Sequence, residues 1–538
     1  MSRPEIPGEH LRGLRAEDRE GEDIEQKSPG ERAPGIDRKT LTRQVIGVLV
    51  GIAAALLIYF IMPADLAHEA KLTAATAILM AVWWMTEAIP IPATALVPLI
   101  VFPAIGGIRF DDVGASYGNN IIFLFMGGFL LALAMQRWNL HRRIALVTVR
   151  AMGTRSSMVV AGFMVATGFL SMWVSNTATA VMMIPIGVSV LMLVGKMGGE
   201  AGGEDLGALA SGDADAESAE VKEAIIKSNF GTALMLGIAY AASVGSLGTL
   251  IGTPPNTLLA GYMADNHDLV IGFGQWMIVG VPLSVVMLIA VWFLLTKVLY
   301  KPEIKEIPGG RELMQSELRK LGPISQGEIR VLIIFILAAL SWVFIPLLFT
   351  GLVSDAGIAM IAGLLLFLLP AGANKGVRLL DWESAIKLPW GVLLLFGGGL
   401  ALSAQFSSSG LTEWIGDSVE RLGAVPVILV VVLFTAGIIF LTELTSNTAT
   451  AATFLPVAGG VAMGLGIPPL LLAAPVALAA TCAFMLPVAT PPNAIAFGSG
   501  YVTIGQMMKG GFWLNIIGIV LITLVTMTLL VMVFGLTL

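Results

Sequence analysis

Long apolar segments with almost no charged residues constrain the folding of this chain more than any other feature. Of its 538 residues, 56% are hydrophobic and only 13% are charged, against roughly 25% charged residues in a soluble domain. The charges are concentrated in three hydrophilic segments, residues 1–44, 196–230 and 297–330. At about 20 residues per crossing, the apolar residues allow at most about fifteen membrane-spanning helices. The sequence therefore predicts an all-α polytopic membrane protein.

Other features of the composition exclude several classes of protein. Residues 1–44 are charged and rich in Pro and Gly without an apolar run, so we expect a disordered cytoplasmic tail rather than a cleaved signal. The net charge of −6 comes mostly from acidic residues in the hydrophilic segments and gives no sign of a nucleic-acid partner. The single cysteine, Cys482, excludes a disulfide framework and is expected to be a small buried apolar residue.

Positive charges at the ends of the apolar runs predict the orientation of the chain in a cell inner (plasma) membrane. Arg38, Lys39 and Arg43 precede the first run, which places the N-terminus in the cytoplasm. The basic segments at 297–330 and 371–387 also fall inside if eleven spans are counted. Segment 405–424 is mostly acidic and falls outside.

One six-residue motif, which we call a word, occurs twice, in two apolar segments that are interrupted near their middle. Ser-Asn-Thr-Ala-Thr-Ala at 175–180 returns letter for letter at 446–451, and a proline follows each serine at the same distance, at Pro185 and Pro456. A second word, Thr-Pro-Pro-Asn, occurs at 253–256 and again at 490–493. Because both words recur in the same order, the chain is expected to consist of two homologous halves.

The positions of these words and of the hydrophilic segments predict the domain organisation. The two halves would enter the membrane in opposite orientations, which is typical of secondary transporters whose site lies between inverted repeats. The first half is expected at 45–300, with an inner re-entrant hairpin at 156–195, an acidic insertion at 196–230 and a broken helix at 231–265. A cytoplasmic linker at 301–330 leads to the second half, 331–538, with an outer hairpin at 425–465 and a broken helix at 469–503.

The residue types in the repeated words suit the binding of ions. Helix N-termini offer N–H groups to an anion, and free carbonyl and side-chain oxygens suit a small hard cation. The two prolines of each second word remove N–H donors and leave the preceding carbonyls, at Gly252 and Ala489, without helical partners. A single Ser-Asn-Thr is usually a helix cap, but duplication within apolar segments favours a binding site.

Fixed charge is scarce near these words. No Lys, Arg or His lies close to them within an apolar run, so cations bound together with the substrate would have to balance an anionic substrate. Glu87 and Glu443 are the two carboxylates expected at membrane depth. Such a residue is a functional candidate, but a carboxylate that is hydrogen-bonded for structural reasons is an equal alternative for both.

These words, together with Trp-Trp-Met-Thr-Glu-Ala-Ile-Pro at 83–90, resemble those of the divalent anion:sodium symporter family of the ion-transporter superfamily. The resemblance covers about residues 45–538 and implies eleven transmembrane helices, two re-entrant hairpins, a homodimer and an elevator movement. It implies a first sodium site at Ser171, Ser175, Asn176 and Gly252, and a second at Thr442, Ser446, Asn447 and Ala489. It places a small dianion between them, bound by Asn176, Thr177, Thr253, Asn447, Thr448 and Thr490.

The sequence thus predicts a sodium-coupled symporter of C4-dicarboxylates such as succinate, malate and fumarate. Two alternatives remain within transport, a carrier of citrate or sulfate and a sodium-independent dicarboxylate exchanger. An enzyme is disfavoured because no metal motif or clustered nucleophile and base occurs in the apolar body, and no cofactor is expected. A channel is disfavoured because proline-broken inverted repeats suit alternating access. The expected partners are the dianion, sodium ions and the lipid bilayer.

Overall fold

The computed structural model describes residues 35–201, 228–307, 309–349, 352–421 and 425–537. Most of the tail predicted at 1–44 and most of the acidic insertion predicted at 196–230 lie outside the described residues. The first helix begins at Arg38, where the Asp37 carboxylate accepts the backbone N–H of Lys39 at 2.7 Å and of Thr40 at 2.9 Å. Residues 38–44, which we assigned to the tail, are therefore helical because an N-cap begins the helix before the apolar run.

Within the described residues, the first part of the chain is built from helices that are joined by turns and loops. Short helical turns at Ser116–Gly118 and Leu294–Leu299 accompany the α-helices. The α-helices are Arg38–Ile61, His68–Thr86, Ile91–Thr94, Val97–Ala104, Phe110–Ala115, Asn120–Arg137, Leu140–Ala151, Ser156–Ser171, Asn176–Ala201, Asn229–Ser246, Pro254–His267 and Phe273–Phe293.

The second part of the chain repeats this helical construction. A π-helical turn at Thr526–Leu530 follows the helix Ile504–Val525. The α-helices are Gly310–Lys320, Gln326–Leu348, Asp355–Leu368, Trp382–Ala385, Trp390–Ser408, Leu411–Glu420, Val427–Thr442, Asn447–Gly464, Leu470–Thr481, Pro491–Gly498, Ile504–Val525 and Val531–Phe534.

Among the described residues, seven helices are long and apolar enough to cross a membrane, and five shorter apolar helices accompany them. The prediction of an all-α, multi-pass membrane protein is confirmed. The count of eleven spans, the re-entrant path of the hairpins and the limits of the two halves remain predictions.

Each repeated word lies where a helix is interrupted. We call the helix pair Ser156–Ser171 and Asn176–Ala201 the first hairpin, and the pair Val427–Thr442 and Asn447–Gly464 the second hairpin. The first broken helix consists of Asn229–Ser246 and Pro254–His267, and the second of Leu470–Thr481 and Pro491–Gly498. The prolines occupy the first turn of the second segment of each broken helix, a position that needs no N–H donor.

The two halves pack crosswise. Segment Pro254–His267 packs against the second hairpin, whereas Pro491–Gly498 packs against the first hairpin. Within the first half, a Cβ on Gly245 would lie 2.2 Å from the carbonyl oxygen of Gly168, so a glycine is needed where these two helices cross. Each broken helix therefore contacts the hairpin of the other half through its second segment.

Candidate functional site

The turn of the first hairpin, residues 172–175, is fixed by a short chain of hydrogen bonds. Ser171 is fully buried, and its hydroxyl lies 2.8 Å from Asn176 Oδ1 and 2.6 Å from the carbonyl oxygen of Ala242. The Asn176 amide donates in turn to Ser246 Oγ at 3.3 Å. Because a carbonyl oxygen has two lone pairs, Asn176 Oδ1 keeps one for another ligand.

The turn of the second hairpin, residues 443–446, repeats this arrangement with different residues. Thr442 is fully buried, and its hydroxyl lies 2.9 Å from Asn447 Oδ1 and 3.0 Å from the carbonyl oxygen of Ala480. In both hairpins a hydroxyl at the end of one helix therefore orients the asparagine that begins the next. The equivalent carbonyl comes from the following broken helix in each half.

The asparagines that end the second word are buried in the two broken helices. The Asn256 amide donates to the carbonyl of Thr249 at 2.9 Å, and the Asn493 amide donates to the carbonyl of Leu486 at 3.1 Å. Within the described part of the chain, Oδ1 of each has no hydrogen-bond partner, although both residues are fully buried. A buried amide oxygen without a donor is available to a cation or to a ligand group.

The predicted site residues differ in their solvent exposure. Ser175 accepts the backbone N–H of Ala178 at 3.3 Å and is half-buried, as are Asn176, Ser446 and Asn447. Thr177 is exposed, whereas its counterpart Thr448 is buried. A side chain at Gly252 would lie 2.3 Å from the carbonyl oxygen of Ser246, which explains the glycine there.

The two broken helices meet at buried threonines. Thr253 and Thr481 are buried, and their hydroxyls lie 3.4 Å apart. Ala489 and Thr490 are also buried, and Thr490 Oγ1 accepts the backbone N–H of Asn493 at 3.3 Å. Among the predicted site residues, hydrogen bonds join Ser171 to Asn176 and Thr442 to Asn447. In the described ranges, no hydrogen bond joins the two hairpin turns directly.

The two carboxylates expected at membrane depth have different surroundings. Glu443 is buried and accepts the backbone N–H groups of Phe484, Met485 and Leu486, and Oε1 also accepts the Asn515 amide at 2.8 Å. This geometry supports the structural alternative for Glu443. Glu87 ends its helix with a φ of 48° and forms an exposed ion pair with Arg43 at 3.1 Å, so it is not a buried carboxylate held by backbone N–H groups, as Glu443 is. Its position at membrane depth remains a prediction.

The potential ligand atoms of the two hairpin turns and the two breaks suit sodium better than a transition metal. The available atoms are neutral hydroxyl, amide and carbonyl oxygens, which suit hard cations. Within the described residues, no group of three or more His, Cys, Asp or Glu side chains could hold a metal ion. Sequence reasoning missed Ser246, Asn256 and Asn493 as candidate ligands, although the last two belong to a repeated word.

Comparison with known proteins agrees with this construction. Residues 42–536 match the family described as "Sodium:sulfate symporter transmembrane region". A protein of Staphylococcus saprophyticus called sodium-dependent dicarboxylate transporter SdcS is 44% identical over 91% of this chain and 92% of its own length. The protein of the same name from Staphylococcus aureus is 44% identical over 92% of each.

A solved structure supports the fold. The Alcanivorax borkumensis YdaH transporter superposes with a TM-score of 0.54 at 14% sequence identity, over 87% of this chain and 99% of its own. At this identity the likeness concerns the fold alone. The profile match over almost the whole helical body, together with the paired words, shows that the chain is a transporter of the sodium:sulfate symporter family, the divalent anion:sodium symporters that its motifs resemble.

Proposed function

We propose that the protein is a secondary active transporter that couples the inward movement of sodium ions to uptake of a C4-dicarboxylate. The observation that carries the proposal is the duplicated turn, in which a buried hydroxyl orients the asparagine of each Ser-Asn-Thr word. The names of the relatives from both Staphylococcus species support sodium as the coupling ion and a dicarboxylate as the substrate.

The proposed sodium sites are built from these two turns. The first uses backbone oxygens of Ser171 and Gly252 with the side chains of Ser175 and Asn176. The second uses Thr442, Ser446, Asn447 and Ala489 in the same roles. Asn256 and Asn493 support these sites, since their amides hold the carbonyls of each break in place while their own buried oxygens remain without a donor.

The dianion is proposed to lie between the two groups. Its ligands would be Asn176, Thr177, Thr253, Asn447, Thr448 and Thr490, which are all neutral. No Lys, Arg or His occurs in the hairpins up to residue 195 or in the second hairpin, nor in either broken helix up to Met263 and Thr503. Bound sodium ions would therefore supply the positive charge that the side chains lack, which makes substrate binding depend on sodium.

The finer features of the family are proposed with this activity. The N-terminus is cytoplasmic in a plasma membrane, the hairpins are re-entrant, and two copies form a homodimer. Movement is of the elevator type, in which the hairpins and broken helices travel together. The crosswise packing of these four elements supports their movement as one body.

Uptake of labelled succinate into proteoliposomes, with and without an inward sodium gradient, tests the proposed function. We expect uptake to require sodium and to fall at least about tenfold, the effect of about 1.4 kcal/mol of binding free energy, when Asn176→Ala and Asn447→Ala are combined. Asn374→Ala, an exposed loop residue, is the matched control and should leave uptake unchanged. Uptake that is unchanged in the absence of sodium would contradict symport, and full activity of the double variant would contradict the site.

Competition distinguishes the alternatives within the family. Excess unlabelled malate or fumarate should suppress succinate uptake, whereas sulfate and citrate should not. Stronger suppression by sulfate or citrate would support the carrier of those anions instead. Uptake that requires internal dicarboxylate but no sodium would support the exchanger.

A further inference from the structure

An apolar cavity lies away from the proposed ion sites, between the first two helices and the second hairpin. Its volume is about 730 Å³. None of the proposed sodium or substrate ligands lines it. The walls are aliphatic and aromatic, and their larger members are Ile58, Trp84, Phe406, Trp414, Leu441 and Phe454.

Most of the few polar side chains of the wall are already hydrogen-bonded within the protein. Thr445 and Thr450 bond to each other with their hydroxyls 2.6 Å apart, and Thr453 donates to the carbonyl of Ala449 at 2.9 Å. The Trp84 indole N–H donates to the carbonyl of Ile91 at 3.1 Å. A buried water needs two to four polar partners, and this wall has few to give. The cavity is therefore suited to hydrocarbon rather than to water.

The cavity opens onto an apolar outer surface. Ile61 and Met85 line it and are 68% and 45% exposed. Beside them on the first helix, Phe60 is 77% and Leu57 is 59% exposed. In a membrane protein such a surface faces the acyl chains of the bilayer, so these chains are the molecules present at the opening.

The size of the cavity favours a flexible chain over a small solute. An apolar cavity of about 150 Å³ is enough to bind benzene, and this one is several times larger. An empty space of this size would deprive its wall of dispersion contacts, which an acyl chain restores. We propose that the cavity is a binding site for an acyl chain of a bilayer phospholipid, held between the first helix pair, residues 38–86, and the second hairpin.

Photo-crosslinking in proteoliposomes tests the site. The probe is phosphatidylcholine with a diazirine near the middle of one acyl chain, and adducts are located by peptide mass spectrometry. We expect adducts within residues 406–415 and 449–457, which carry one wall of the cavity. Ala81→Phe, which puts a ring of large buried area into the cavity, should reduce them at least about fivefold.

Two further variants make the result decisive. Ala53→Phe, at an exposed position of the first helix outside the cavity, should leave the adducts unchanged. Ala74→Leu fills the cavity from a different turn and replaces Ala81→Phe if that variant does not elute as a folded protein. Adducts that persist in both filled variants would overturn the proposal. So would labelling of these peptides by a water-soluble diazirine, or by a diazirine fatty acid in preference to the phospholipid.

Discussion

The two hairpin turns carry the same six-letter word but are supported by opposite chemistry. In the first, Trp173 lies 4.9 Å from Phe335 edge to face and stacks at 6.4 Å on Trp342, centroid to centroid. Thr249 of the following break donates its hydroxyl to the carbonyl of Met172. In the second, the Glu443 carboxylate accepts three backbone N–H groups of the following break.

In both halves the break donates hydrogen bonds to the turn, but the donating groups differ. The first break donates to the first turn through a side chain, while the second break donates to the second turn through its backbone. Oriented asparagines can be held equally by apolar packing or by a buried negative charge. The first turn is then expected to be sensitive to loss of volume, and the second to loss of charge.

Removal of the Trp173 ring is expected to have the largest effect. Trp173→Ala leaves a cavity among buried aromatic rings and should destabilise the protein by about 3–5 kcal/mol. Thermal unfolding of the purified protein measures the loss. Trp173→Phe is the control and should retain most of the stability, because the Trp173 indole N–H has no hydrogen-bond partner among the described residues. Equal losses in both variants would show that the first turn does not depend on aromatic volume.

Neutralisation of Glu443 should have the next largest effect. Glu443→Gln keeps the size but brings an NH2 group against backbone N–H donors, which should cost about 2–3 kcal/mol. Thermal unfolding should show this loss, while the sodium concentration for half-maximal uptake stays within about twofold, a small change in binding free energy.

The exposed Glu413→Gln is the matched control and should change neither quantity. A large shift in sodium dependence without loss of stability would instead identify Glu443 as a sodium ligand.

The parts of the site that could be predicted from sequence are those held by local bonds. Ser171 and Thr442 lie five residues before Asn176 and Asn447, and the family resemblance implied that each pair belongs to one sodium site. The hydrogen bonds that join the two pairs were not predicted. The paired words also located the two interruptions. Local order of this kind follows from the sequence, because the partners are near neighbours in the chain.

The remaining support could not be predicted, because its partners are distant in sequence. Glu443 reaches Asn515, and Trp173 reaches Trp342, with no repeated word to mark either pair. The ion pair between Glu87 and Arg43 was missed for the same reason, because the two residues are 44 positions apart in the sequence.

Deletion of the single hydrogen bond between the first turn and its break should have a moderate effect. Thr249→Val keeps the shape of a fully buried side chain but leaves the Met172 carbonyl without this donor, at a cost of about 1–2 kcal/mol. Thermal unfolding should therefore show a smaller loss than for Glu443→Gln. Thr249→Ser, which keeps the hydroxyl, is the control. A loss in Thr249→Ser as large as that in Thr249→Val would show that the hydrogen bond of the hydroxyl does not account for the effect.

Asp381, a carboxylate at the surface, can be compared with Glu443 to test whether the effect of Glu443 on stability depends on its burial. Asp381 pairs with Arg137 and accepts the backbone N–H of Ser384 at 2.9 Å, but its side chain is 42% exposed. Hydrogen bonds from the Ser384 side chain and from Arg137 lower the pKa of Asp381 from 3.8 to about 2. Because the folded pKa is the lower one, its stabilisation is present above about pH 4 and is lost as the pH falls through about 2.

Asp381→Asn should accordingly cost less than about 1 kcal/mol, since solvent and salt screen an exposed pair. We expect a small drop in melting temperature at pH 7, which shrinks at high salt and on acidification below pH 4. Glu413→Gln, which also removes one exposed negative charge, is the control for the change of net charge. A drop in melting temperature at pH 7 as large as that of Glu443→Gln would contradict the proposed role of burial at the second turn. Charge alone would then explain how Glu443 supports this turn, whether or not the charge is buried and bonded to backbone N–H groups.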